Sequence, residues 1–104
     1  MSSVLVPPVL LTAPQDKTVP VGTPSVRFTC QVESDPRPSF RWLKDREVLT
    51  EGAKYTVHVD GTLVVRDIIA RDAGTYECLA QNAAGTIRAF VTLSVGAGRV
   101  MTTV

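Results

Sequence analysis

The chain has 104 residues, which is enough for one domain with its own hydrophobic core and too few for two. Hydrophobic residues make up 44% and charged residues 20%, a composition that indicates a globular protein and excludes a disordered one. Eleven Lys and Arg against ten Asp and Glu leave a net charge of +1, so the charge balance gives no support for a nucleic-acid partner.

The N-terminal part of the chain contains an apolar run, VLVPPVLL, which Pro7 and Pro8 interrupt. This run is far too short to cross a bilayer, and it has neither the basic flank nor the cleavage site of a signal peptide. We therefore expect no membrane insertion by this segment. Residues 1 to 8 show no strand pattern and are interpreted as a linker or as residues added at the N-terminus.

The dominant period of the following sequence is two, which is typical of half-buried antiparallel strands. It appears in SVRFTCQV, SFRWLK, GTLVVRD and TIRAFVTLSV, and Gly, Pro, Asp or Asn residues separate these runs. The pattern predicts about seven to nine short strands in an all-β sandwich or barrel. A single helical turn is expected in IIARDAG, residues 68 to 74, and residues 96 to 104 are interpreted as a C-terminal linker.

Cys30 and Cys78 are the only cysteines, and four roles are open to them: buried thiols, a redox couple, part of a metal site, or a disulfide. The Cys-x-x-Cys spacing that thioredoxin-type chemistry needs is absent. A structural zinc needs four ligands, and His58 is the only other soft candidate. The sequence therefore favours a disulfide, and we expect neither a metal nor any other cofactor.

No group of residues has the pattern of a catalytic site. His58 lies in KYTVHVD, which we interpret as a short edge strand, and no Ser or second Cys stands beside it as a nucleophile. Phosphate-binding loops, dinucleotide fingerprints and His-Glu-x-x-His motifs are absent. Acidic residues alternate with the basic ones around Trp42, which disfavours polyanion binding; the basic residues are Arg37, Arg41, Lys44 and Arg46, and the acidic ones are Asp35, Asp45 and Glu47. We predict a protein domain that is not an enzyme.

A tryptophan stands 12 positions after the first cysteine, and a tyrosine stands two positions before the second, within the motif DAGTYEC. This combination of Cys30, Trp42, Tyr76 and Cys78 resembles the signature of the immunoglobulin superfamily. DPRPSFRWLKD, DGTLVV and AQNAAG resemble its intermediate (I-set) branch, and the resemblance covers about residues 8 to 95. It implies an immunoglobulin-like sandwich of two antiparallel sheets with Greek-key topology over residues 9 to 95, with an inter-sheet disulfide that joins Cys30 to Cys78.

The resemblance also implies structural roles for the residues around the disulfide. Trp42 is expected to pack against it, and Leu63 is expected to join the same core. Tyr76 is expected to donate its hydroxyl to the preceding backbone. Asp72 is expected to accept backbone N–H groups or to pair with an arginine, and Gly74 to provide a backbone geometry that a Cβ would obstruct.

The opposite parity of the same strands predicts a solvent-facing surface. If Tyr76 and Cys78 face inward, their neighbours in sequence face outward, and the three strands concerned are adjacent in an immunoglobulin sheet. An exposed phenylalanine beside leucines, with a charged rim, has the composition of a protein interface. The predicted partner face consists of Arg41, Leu43, Glu77, Leu79, Gln81, Arg88 and Phe90.

The resemblance implies a non-catalytic protein–protein interaction module. Our first hypothesis is one immunoglobulin domain of an extracellular or cell-surface adhesion molecule, receptor or matrix protein, with neighbouring domains in a tandem array. Two bridging cysteines favour this hypothesis because disulfides persist in oxidising compartments. The alternative is a structural spacer or filament-binding domain of a cytoplasmic muscle or cytoskeletal protein. Homophilic and heterophilic binding both stay open, and so does an enzymatic domain elsewhere in the parent chain.

Overall fold

A computed structural model describes residues 5 to 97, and most of these residues form short β-strands. The strands are short because turn-forming residues interrupt the period-two pattern every few positions. Their bounds are β1 Val6–Thr12, β2 Lys17–Pro20, β3 Ser25–Thr29, β4 Gln31–Asp35, β5 Ser39–Lys44, β6 Glu47–Val48, β7 Tyr55–Val57, β8 Thr62–Arg66, β9 Gly74–Asn82 and β10 Gly85–Gly96.

The strands lie in two layers. One layer is a five-stranded sheet with the order β2-β10-β9-β5-β6, in which only the pairing of β2 with β10 is parallel. The other layer contains the sheet β3-β8-β7 and the pair β1-β4, and only Cys30 separates β3 from β4 along the chain. This arrangement confirms the predicted all-β sandwich of two sheets.

The hydrophobic core lies between the two layers and surrounds the disulfide that Cys30 and Cys78 form. Trp42 and Leu63 are fully buried, and Phe28 is 1% exposed and stacks on Trp42 with 6.2 Å between ring centroids. The indole Nε1 of Trp42 donates a hydrogen bond to the Gly61 carbonyl oxygen over 3.1 Å, so its one polar atom is satisfied inside the core.

A second set of contacts holds the segment before β9 against the core. The Tyr76 hydroxyl donates to the Asp72 carbonyl oxygen over 2.6 Å. The Asp72 carboxylate accepts the Ile69 N–H over 2.8 Å and pairs with the Lys54 Nζ over 2.7 Å, so its cationic partner is a lysine and not an arginine. Gly74 has a φ of +151°, and a Cβ there would lie 3.1 Å from the Asp45 carboxylate.

The structure also changes or completes several expectations about the ends and turns. Strand β1 begins at Val6, so residues 6 to 8, which we expected to precede the domain, belong to a sheet. The expected helical turn is the 3₁₀ helix Ala70–Asp72. KYTVHVD contains the expected short edge strand, β7, and His58 is exposed but lies one residue beyond the end of that strand. Of the predicted C-terminal linker, residues 98 to 104 lie outside the described residues.

Candidate functional site

The predicted partner face lies on β5, β9 and β10, and these strands are neighbours in the five-stranded sheet. Directly paired residues of antiparallel strands project from the same side of a sheet, so the register places the face residues in rows. Leu43 and Phe90 pair with Glu77 from either side, and Arg41 and Arg88 pair with Leu79 in the next row. We call the seven residues of this surface the outer face; they are Arg41, Leu43, Glu77, Leu79, Gln81, Arg88 and Phe90.

Phe90 is the most prominent apolar side chain of the outer face, with 62% of its surface exposed. Leu43 in the same row is half-buried, and it pairs on its other side with Val48 of β6, which is 56% exposed. Val48 was not among the residues predicted for this face, because a two-residue strand has no period-two pattern. The pairing of Val48 with Leu43 in the β5–β6 hairpin is the observation that identifies it, and this pairing extends the apolar row by one strand.

Glu77 does not present the free side chain that we predicted. It is 7% exposed, although its parity directs it outward. The cause is its central position: Leu43 and Phe90 stand on both sides, and the Arg88 Nη1 donates to the Glu77 carboxylate over 2.8 Å. Arg88 therefore neutralises the charge of Glu77 inside the apolar row, and Glu77 is not a group that a partner meets first.

The remaining charge of the outer face is positive. Arg41 is exposed, and among residues 5 to 97 no ion pair involves it. The Arg88 side chain keeps 60% of its surface exposed while it pairs with Glu77. Arg41 and the N–H groups of Arg88 that do not bind Glu77 are available to acceptors on a partner, while Leu79 between the two arginines is half-buried.

A hairpin tip borders the outer face beside Phe90. Asp45 and Arg46 form this tip, and their φ angles are 48° and 77°. The Lys44 ammonium, which donates to Asp45 over 2.9 Å, and the Thr75 N–H hold the pKa of Asp45 below its usual value. A small cleft of about 220 Å³ separates the tip from β10; Asp45, Arg46, Thr75, Glu77 and Phe90 line it.

Within residues 5 to 97, no three His, Cys, Asp or Glu side chains converge as a metal site would require. The same residues include no helix that is long and apolar enough to cross a membrane. A cleft of about 610 Å³ lies between β6 and the 3₁₀ helix, but its Lys54 and Asp72 already pair with each other. The arrangement can bury apolar surface and form ion pairs against another molecule.

A family model for the immunoglobulin I-set domain matches residues 8–95. The chain belongs to the immunoglobulin I-set family. This I-set domain is 39% identical over 90 residues to the Peroxidasin homolog of Mus musculus, a match that covers 86% of the chain. It is 42% identical over 73 residues to Roundabout homolog 2 of Homo sapiens, which covers 70% of the chain. The I-set domain spans only 6% and 5% of those two proteins.

Solved structures agree with this family. Titin domain M7 superposes with a TM-score of 0.85 at 28% identity, covering 92% of the I-set domain and 100% of the titin chain. A chain from the complex of titin M10 with an obscurin-like 1 Ig domain superposes with a TM-score of 0.83 at 28% identity, covering 91% and 99%. These relatives support a protein-interaction immunoglobulin module as the general function.

Proposed function

We propose that this I-set domain is a protein-binding module of an extracellular or cell-surface protein and that the outer face is its binding surface. The observation that carries the proposal is Phe90, an aromatic side chain that is 62% exposed in the middle of an open sheet face. Burying a phenylalanine completely contributes about 1.5–3 kcal/mol, so water contact at this position is costly unless a partner covers it.

The surroundings of Phe90 have the composition of an interface centre. Leu43 and Val48 extend the apolar row, and the buried Glu77 is already paired, so a partner that covers this row leaves no uncompensated charge. Arg41 and Arg88 stand in the next row. Aromatic residues and arginine are the types that dominate binding energy in protein interfaces, which supports a protein partner.

The parent chain is part of the same proposal. The I-set domain spans 5–6% of the relatives named above, so we place it as one domain among neighbours in a tandem array. One further relative at 39% identity is named a probable oxidoreductase, and the chain spans 5% of it. Binding by this domain is therefore compatible with an enzymatic domain elsewhere in the parent protein.

The proposal is tested by presenting the I-set domain, as a tetramer, to an array of cells that each display one extracellular protein, including this domain itself. We expect binding to a small number of displayed proteins. Phe90→Asp places a charge in the apolar row and should remove this binding, with a loss of at least about tenfold in affinity. Thermal unfolding is expected to stay unchanged because the side chain is exposed.

Ser94→Asp is the matched control for this experiment. Ser94 lies on β10 with the same outward parity as Phe90, is exposed, and pairs with Thr18 of β2 away from the outer face. The Ser94→Asp variant should bind the same displayed proteins as the wild type with unchanged affinity. Equal binding by the wild type and Phe90→Asp would show that another surface binds the partner, and an array without any binding would contradict the proposed function.

The alternative function is a spacer or filament-binding domain inside the cell, which the similarity to titin domains supports. The disulfide distinguishes the extracellular hypothesis from the intracellular one, because disulfides persist only in an oxidising compartment. It joins positions 48 residues apart, and a crosslink over that distance in sequence stabilises a fold by about 4 kcal/mol. We expect the Cys30→Ala/Cys78→Ala variant to lose about that much unfolding free energy in urea. A loss below about 1 kcal/mol would favour the intracellular alternative, since the fold would then not depend on an oxidising compartment.

A further inference from the structure

A second exposed apolar surface lies on the other layer of the sandwich. Alternate residues of the first strand and the residue before it are exposed, and all of them are apolar, while the residues between them are buried or half-buried. Leu5 and Val9 are each 50% exposed, and Leu11 is 56% exposed. We call this surface the β1 stripe; it consists of Leu5, Pro7, Val9 and Leu11.

The rim of the β1 stripe is acidic. Val9 pairs directly with Glu33 of β4, so the two side chains share one side of the sheet. Asp35 lies two residues further along β4 and projects from the same side, and a register shift between Val6 and Val9 places Val6 opposite it. Glu33 and Asp35 are exposed, and among residues 5 to 97 neither takes part in an ion pair. The β1 stripe thus has an apolar centre with negative charge, whereas the outer face has an apolar row with Arg41 and Arg88.

We propose that the outer face of one copy of this domain binds the β1 stripe of a second copy. This inference rests on the proposed function, because it assigns an occupant to the same outer face. Phe90 and Leu43 would cover Val9 and Leu11, and the free guanidinium of Arg41 would meet Glu33. Both surfaces have an apolar centre, but their charges are opposite, and this difference favours contact between the two surfaces over contact between two identical ones.

Pairing between identical surfaces is disfavoured by the same charges. Two outer faces would bring together the arginines of both copies, and two β1 stripes would bring together their carboxylates. A contact between two different surfaces is heterologous, so a dimer still exposes one free outer face and one free β1 stripe. Association therefore continues beyond the dimer unless the geometry closes a ring.

The strength of this contact is limited by its size. Three strands about 4.8 Å apart give a face only about 10 Å wide, which places the contact at the small end of protein interfaces. We expect a dissociation constant between about 10 μM and 1 mM for separate copies. Two such domains on neighbouring molecules of a tandem array would bind more strongly because several weak contacts form together.

Sedimentation velocity from about 10 μM to 1 mM tests the proposal with two variants that each remove one surface. Phe90→Asp removes the outer face, and Val9→Asp with Leu11→Asp removes the β1 stripe. We expect the wild type and Ser94→Asp to form species larger than a dimer, and each surface variant alone to stay monomeric. An equimolar mixture of the two surface variants should form a dimer and nothing larger, since one competent surface remains on each partner.

Four results would overturn the proposal. A wild-type domain that is monomeric at 1 mM would exclude self-association. The arrayed-cell experiment reports separately whether the outer face binds another protein. Self-association of the β1-stripe variant at the wild-type level would show pairing between two outer faces, and self-association of Phe90→Asp would show pairing between two β1 stripes. A mixture that stays monomeric would exclude the heterologous contact. Unchanged thermal unfolding of both variants confirms that they are folded.

Discussion

The Tyr76 side chain is fully buried, and its hydroxyl donates to the Asp72 carbonyl oxygen. Burial raises the pKa of Tyr76 well above its usual value of 10, and the neighbouring Tyr55 and Asp72 raise it further. In the unfolded chain the same hydroxyl ionises near pH 10. Above pH 10 the unfolded state therefore loses a proton that the folded state keeps, and the contribution of Tyr76 to stability falls as the pH rises.

This reasoning predicts how Tyr76→Phe depends on pH. At pH 7 the variant should lose about 1–2 kcal/mol of unfolding free energy, because the Asp72 carbonyl oxygen is left without its donor. At pH 11 the wild type should have lost about 1.4 kcal/mol that the variant cannot lose, so the difference between the two nearly disappears. Urea unfolding at both pH values measures this, and an equal deficit at both would contradict the assigned protonation.

Among the glycines of residues 5 to 97, Gly61 has the least space for a side chain. Its φ is +96°, and a Cβ would overlap the Cys30 carbonyl oxygen and lie 2.8 Å from the Phe40 ring. Its own carbonyl oxygen accepts hydrogen bonds from the Trp42 indole and the Cys30 N–H. Only glycine therefore fits at this position of the turn after β7, where the backbone packs directly against Cys30 and Phe40.

We predict that Gly61→Ala lowers the unfolding free energy by at least about 2 kcal/mol, since it adds both backbone strain and a clash with backbone atoms. Gly52→Ala is the control, because a Cβ at Gly52 meets nothing within 4 Å. That variant should be neutral or slightly stabilised in urea unfolding. Similar losses in both variants would mean that the close approach at Gly61 is not what limits this position.

At the level of elements, the β5–β6 hairpin closes with two residues that both have positive φ. Hairpins with a two-residue loop favour this backbone because it matches the twist of the strands, and they prefer glycine in it. The Asp45 carboxylate accepts hydrogen bonds from Lys44 and Thr75, and these offset the cost of its positive φ. Arg46 is exposed and makes no such hydrogen bond among the described residues. Arg46 therefore holds a strained backbone without local compensation.

Arg46→Gly should raise the unfolding free energy by about 0.5–1 kcal/mol, because glycine adopts this conformation without a steric penalty. The same exchange in the middle of β5, Arg41→Gly, is the control and should lower it, since glycine weakens a strand. Thermal or urea unfolding of the two variants gives the comparison. A loss of stability in Arg46→Gly would mean that the arginine side chain contributes contacts that outweigh the strain.

The period-two pattern predicted which side chains of β9 and β10 point into the core, because the direction of a side chain depends only on its position along the strand. Phe90 and Arg88 are accordingly outward and exposed. The exposure of Glu77 could not be predicted in this way, since its burial depends on Leu43 and Arg88, which come from other strands. Val48 was missed for the same reason: its place in the apolar row follows from pairing and not from a local pattern.

At the level of the whole molecule, a net charge of +1 conceals two surfaces of opposite charge. The β1 stripe was overlooked in the sequence because Pro7 and Pro8 suggested a linker. The structure instead places them in β1, where successive backbone N–H groups point to opposite edges, so one of the two prolines removes a donor from the edge that faces away from β4. Proline at this edge opposes the addition of a further strand, so β1 offers its side chains and not its backbone to another molecule.

The most direct test of the central claim is the oxidation rate of Phe90 under hydroxyl radicals, with and without the partner that binds in the arrayed-cell experiment. Phenylalanine reacts readily with these radicals when it is exposed, and Phe90 is 62% exposed in the free domain. We predict that complex formation slows oxidation of Phe90, while Val59, which is 81% exposed at the far end of the sandwich, reacts at an unchanged rate. An unchanged rate at Phe90 in a saturated complex would contradict the claim that the outer face is the binding surface.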